Sequence, residues 1–137
     1  EGSATYYEGR LLEETGATAD AQRTWAGIDQ QLATWRNGGG GGVAWPQSCG
    51  QVDVLRDGLF SSVPYVKGAA FLRALEQKIG RPMFDSVMHT FYMRFAGKAA
   101  GVADLLAVVR EVASYDPTAC AQAWLVNRAV PALAPCS

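Results

Sequence analysis

Between Phe84 and Phe95 the chain places Phe84, Val87, Met88, Phe91, Tyr92 and Phe95 at i, i+3, i+4, i+7, i+8 and i+11. That series draws one apolar face along an α-helix; a strand would need alternation every second residue. The periodicity returns elsewhere. Ala21, Trp25, Ile28, Leu32 and Trp35 form a single stripe, and Val102, Leu105, Leu106, Val109 and Val112 share one side. Strand-like alternation is almost absent, so the chain has to bury helix against helix, and the fold class is all-α.

Glycine and proline divide this signal into elements. A first helix is predicted over 2–14, stopped by Thr15-Gly16, with Gly16 just past the helix end, where a left-handed residue belongs. A second runs from about 19 to 36 behind a Thr18 cap. Residues 37–61 then read as one long irregular segment opening with Asn37 and five consecutive glycines. Glycine loses the most entropy on ordering, so a flexible loop is expected at about 37–44, with Val52 to Phe60 as the more structured part. The third helix covers about 63–79, opened by Ser62 and Pro64 and ended by Gly80. The fourth spans about 82–96 behind Pro82, and the fifth about 102–113. A sixth starts at Asp116-Pro117 and runs through Trp124 to about Asn127, after which Pro131 and Pro135 keep the tail extended. Six helices in 137 residues make one irregular helical bundle of ordinary domain size.

Composition narrows the function classes. Net charge is −1 with scattered Lys and Arg, so nothing resembles a nucleic-acid footprint. No apolar run approaches the roughly eighteen residues of a membrane span, and no signal peptide opens the chain. Charged residues make up 18%, which leaves more neutral surface than usual and suits a piece whose face is buried in a larger body. Three cysteines are too few for a disulfide framework. Cys120 and Cys136 can pair if the tail folds back, leaving Cys49 free and pointing to an exported parent; the alternative is three reduced thiols.

Two short segments invite a chemical reading: Glu1-Gly2-Ser3-Ala4-Thr5-Tyr6-Tyr7-Glu8 and Ser61-Ser62-Val63-Pro64-Tyr65-Val66-Lys67-Gly68-Ala69. Each alone has a plain account. An acidic residue suits a helix N-terminus, and a first-turn tyrosine usually bridges core and surface. In sequence order, however, the two resemble the gluzincin zinc aminopeptidases, the family of aminopeptidase N and the leukotriene hydrolase/aminopeptidase. There an H-E-x-x-H helix gives two zinc-binding histidines and a general-base glutamate, and about eighteen residues later an N-E-G-F-A-x-Y-x-E helix gives a third ligand. Glu1-Gly2, Ala4, Tyr6 or Tyr7 and Glu8 match the latter, with Ser3 where an aromatic is common. Val63-Pro64-Tyr65-Val66-Lys67-Gly68-Ala69 is similar to the family's V-P-Y-E-K-G-A, with Val66 replacing the glutamate. The resemblance continues through Phe71-Leu72-Arg73-Ala74-Leu75-Glu76 and the Phe95 to Leu106 stretch. It closes near Trp124-Leu125 and Pro131, and covers most of the chain outside residues 17–58.

The resemblance implies the helical C-terminal lobe of a thermolysin-like catalytic domain, acting on the N-terminal residue of peptide substrates. Glu1 would be the carboxylate ligand of a two-histidine, one-glutamate zinc site. Tyr65 would give a phenolic hydrogen bond to the oxyanion, a role that a pKa near 10 allows at working pH. Glu8 would support the first helix and Lys67 would serve packing or surface. His89, the single histidine, reads as a helix-boundary residue, so H-E-x-x-H is absent, as is the G-x-M-E-N-type stretch that grips a substrate's amino group. Zinc is therefore expected in the intact parent and not in this chain, which alone should hydrolyse nothing. The second-helix stripe and the third helix's apolar flank should be partly uncovered, giving self-association or poor order in residues 1–15. The competing reading is a helical protein-interaction module that uses the scaffold without chemistry.

Overall fold

The computed structural model describes residues 1–51, 53, 55, 61–131 and 136. Among them every regular element is helical. Helix α1 spans Gly2–Glu14 and α2 Thr18–Asn37; a single 3-10 turn follows at Cys49–Gln51. Then come α3 (Val63–Ile79), α4 (Arg81–Phe95), α5 (Val102–Ala113) and the short α6 (Thr118–Ala121), which widens into a π turn at Gln122–Val126.

The punctuation works as its chemistry requires. Gly16 takes a φ of 78° and donates its N–H to the Glu13 carbonyl at 3.2 Å, while Ala17 donates to Leu12 at 2.9 Å. Those paired bonds close the end of α1 and turn the chain straight into α2. Gly80 (φ 82°) is the only residue between α3 and α4, in a region of backbone space that a Cβ penalises. The Asp116 carboxylate accepts from the backbone N–H of Thr118 at 3.1 Å and so opens α6. Gly101 donates its N–H to Asp104 Oδ2 at 2.8 Å at the start of α5.

Helix α3 is the axis of the core. Ala69, Phe71, Leu72 and Leu75 are buried where α1, α2, α4 and the α6 turn pack against it. Each of the larger ones, Phe71, Leu72 and Leu75, contributes about 1.5–3 kcal/mol. Most of the α2 stripe is enclosed: Ala21, Trp25, Ile28 and Leu32 are buried, facing α1 and α3, while Trp35 at its end is half-buried. The stripe expected to be partly uncovered is thus open only at its Trp35 end. On α4, by contrast, Phe84 and Val87 are buried while Tyr92 and Met93 stand open.

Three further boundaries differ from the sequence reading. Asn37 is the last residue of α2, not the first of a loop. Thr18 lies inside the first turn of α2 with Ala17 as its cap; its hydroxyl donates back to the Gly16 carbonyl. The predicted sixth helix gives up its α pitch after Ala121. The π turn leaves the Leu125 carbonyl free to accept both Ala44 and Trp45 N–H groups at 2.8 Å, which clips the long loop to the C-terminal segment. Most of Val52 to Phe60, and Pro135, lie outside the described residues. The sulfurs of Cys120 and Cys136 are bonded to each other, both residues are buried, and Cys49 is free and exposed.

Candidate functional site

The starts of α1 and α3 lie against each other. A Cβ on Gly2 would stand 2.5 Å from the Gly68 Cα and 3.0 Å from the Pro64 carbonyl oxygen; one on Gly68 would stand 2.7 Å from the Gly2 Cα. Only two glycines allow so close an approach. Glu1 precedes the first of them, and Tyr65 follows Pro64. The crossing thus brings the two sequence-predicted residues to one end of the bundle.

Beside the crossing lies a groove of about 450 Å³, lined by Glu1, Gly2, Pro64 and Gly68 together with Phe71 and Met88. Glu1 is exposed and its carboxylate has no side-chain partner among the described residues. Tyr65 is 44% exposed and outside the groove wall; its phenol has no hydrogen bond among the described residues. Both groups are therefore unengaged and open to something outside this chain.

The ambiguous tyrosine pair of α1 is resolved. Tyr6 is fully buried, whereas Tyr7 is exposed at the edge of a second, shallower depression of about 850 Å³. Tyr6 donates its hydroxyl to Glu76 Oε2 at 2.7 Å, and burial, reinforced by that carboxylate, pushes its phenol well above the ordinary value. Glu76 also accepts from Arg81, which reaches Glu13 at 2.7 Å; Glu13 in turn accepts from the Trp25 indole at 2.7 Å. Arg81 holds the Glu13 carboxyl below its usual range. Arg10, 6% exposed, adds bonds to Glu14 at 2.8 Å and to Asp85 at 2.8 Å. The Asp85 carboxylate is the main reason its guanidinium is held still more firmly protonated. This network binds the rear of α1 to α2, α3 and α4.

Lys67, read as a packing or surface residue, takes the packing role. Its side chain is fully buried, and Nζ donates to the carbonyls of Gly42 at 2.9 Å, Asn127 at 2.5 Å and Arg128 at 3.4 Å. Burial pulls its pKa down to about 8, while the three carbonyls favour the charged form. The sequence held a hint. Lys67 sits at i+4 from Val63 and i−4 from Phe71, both buried, so helical spacing already put it on the core face. Arg10 had the same signal, four residues after Tyr6. Glu8 and His89 are exposed, and His89 borders the second depression.

No group of three His, Cys, Asp or Glu side chains that could hold a metal ion occurs among the described residues. By themselves these residues do not compose a zinc site; among the described residues, the Glu1 carboxylate at the crossing is a suitable donor without a side-chain partner.

Comparison with known proteins sharpens the picture. The profile described as "Peptidase family M1 domain" matches residues 1–124. Leucine aminopeptidase 2 of Coccidioides immitis (strain RS) is 46% identical over 43 residues, 31% of this chain and 7% of that protein. An M1 zinc metallopeptidase mutant from Deinococcus radiodurans, crystallised with a Tyr-Ser-Ala substrate, has a similar fold. Its TM-score is 0.72 at 24% identity, covering 98% of this chain and 28% of the other. This chain thus spans under a third of that solved structure.

Proposed function

This chain belongs to the M1 peptidase family, and from that premise we propose that it is the helical part of a zinc-dependent aminopeptidase that removes N-terminal residues from peptides. In this reading Glu1 contributes one carboxylate to the metal, whose other ligands come from an H-E-x-x-H helix outside this sequence. Zinc, when bound, supplies Lewis-acid activation of water and of the scissile carbonyl. Tyr65 donates a hydrogen bond to the oxygen on which negative charge develops. Exposure of the phenol leaves it free to meet a substrate carbonyl. The Gly2–Gly68 contact is the observation on which the reading rests, since it sets the two helix starts side by side. Alone, the chain hydrolyses nothing: with one histidine it cannot contain H-E-x-x-H.

The test is Tyr65→Phe in the full-length protein, assayed on an aminoacyl-arylamide. Loss of one oxyanion donor costs about 3 kcal/mol in the transition state, a hundredfold or more in kcat, with the zinc content unchanged. A Tyr65→Phe enzyme with undiminished kcat removes Tyr65 from the mechanism. Chelator-sensitive release of an amino acid by the isolated chain would overturn its proposed dependence on the missing helix.

A further inference from the structure

The two buried charged side chains of the described structure are solved in opposite ways. Arg10 meets carboxylates, whereas Lys67 meets only backbone carbonyls, from Gly42 on one side and Asn127 and Arg128 on the other. Removing an ammonium from water is costly, and a methionine of similar length would fill the same space without that cost. What the lysine adds is geometry. Charge-assisted bonds to carbonyls from two distant parts of the chain converge on one nitrogen.

Those carbonyls are well placed to grip the first turns of α3. A Cβ on Gly42 would stand 3.3 Å from Val63 Cγ2, the opening residue of the helix, and Gly41 lies where a Cβ would be 2.6 Å from the Arg128 carbonyl oxygen. The glycine run and the 127–128 segment thus close together around the Lys67 nitrogen. Residues two apart on a helix point about 200° away from each other, so Lys67 reaches inward while Tyr65 faces out. On another side Gly68 bears on Gly2.

We propose that Lys67 is a positioning residue: through the carbonyls of Gly42, Asn127 and Arg128 its ammonium fixes the first turn of α3 from behind and so sets where the Tyr65 phenol stands. The proposal rests on the reading of Tyr65 as oxyanion donor. It gives the glycine-rich segment a task, since its backbone supplies one arm of the grip.

The experiment is a double-mutant cycle in the full-length protein, comparing wild type, Lys67→Met, Tyr65→Phe and the double variant for kcat, KM and zinc content. Lys67→Met is expected to lower kcat about tenfold or more, because small misplacements of a catalytic group are costly. KM should stay within about twofold and zinc content should not move. In the Tyr65→Phe background the same change should cost nothing further. Amide exchange is followed in parallel. Lys67→Met should speed exchange in residues 62–66 about tenfold while leaving α4 unchanged. Should Lys67→Met not fold, Lys67→Arg, which keeps the charge but not the fit, enters both arms with the same expectations. An equal loss of kcat with and without the Tyr65 hydroxyl, or exchange that rises uniformly or not at all, overturns the anchor. An unaltered kcat in Tyr65→Phe alone overturns the donor reading instead, so the two failures are told apart.

Discussion

The two ends of α1 are built on different terms. At the rear, Tyr6, Arg10 and Glu13 are tied by hydrogen bonds and ion pairs to α2, α3 and α4, and the principal polar groups there have partners. At the front, α1 meets α3 through a glycine contact, and the Glu1 carboxylate has no side-chain partner among the described residues. On the proposed role of Glu1, the difference teaches that orientation and chemistry are separated along one helix. The rear fixes the roll and tilt, and so the front can present an unengaged acid without becoming loose.

If that division is right, substitutions at the two ends should fail differently. The largest effect belongs to the crossing. Gly68→Leu forces α1 and α3 apart, and overpacking at a helix contact should cost about 3 kcal/mol in urea unfolding. A near-neutral result would mean that the helices have room to separate. Arg10→Met should cost about 2 kcal/mol: it loses charged hydrogen bonds, but Glu14 and Asp85 are half exposed and regain water. Tyr6→Phe comes next at about 1 kcal/mol, because Glu76 keeps Arg81 after the phenol is gone. The smallest is Glu1→Gln, within about 0.5 kcal/mol of wild type in this chain, although in the full-length protein it should weaken zinc retention measured by metal analysis after dialysis. A large stability loss from Glu1→Gln would erase the distinction between the ends.

Much of the architecture was legible because it is punctuated locally. Val63–Ile79 begins and ends where proline and glycine chemistry says it must. Gly16 stops α1 for a reason visible in a few residues of sequence. The misses have a common cause in tertiary context. Thr18 has the right side chain for a cap, but the tight closure at Gly16 and Ala17 leaves that position to Ala17. The sequence reading leaves Lys67 between packing and surface and assigns nothing to Arg10, because the burial of both depends on acceptors 25 to 75 positions away. For the site, the resemblance supplied Glu1 and Tyr65, but the glycine pair that brings their helices together became visible only in three dimensions.

Gly80 carries a mechanical consequence. With a single residue between α3 and α4, the two rods form an elbow without slack. Helix α3 rises about 1.5 Å per residue, so Tyr65 sits some 20 Å from that joint, and a swing of about 3° there displaces it by about 1 Å. Pressure on the open Tyr92 and Met93 flank of α4, next to the Phe91 that lines the groove, would travel down this lever to the Tyr65 end of α3.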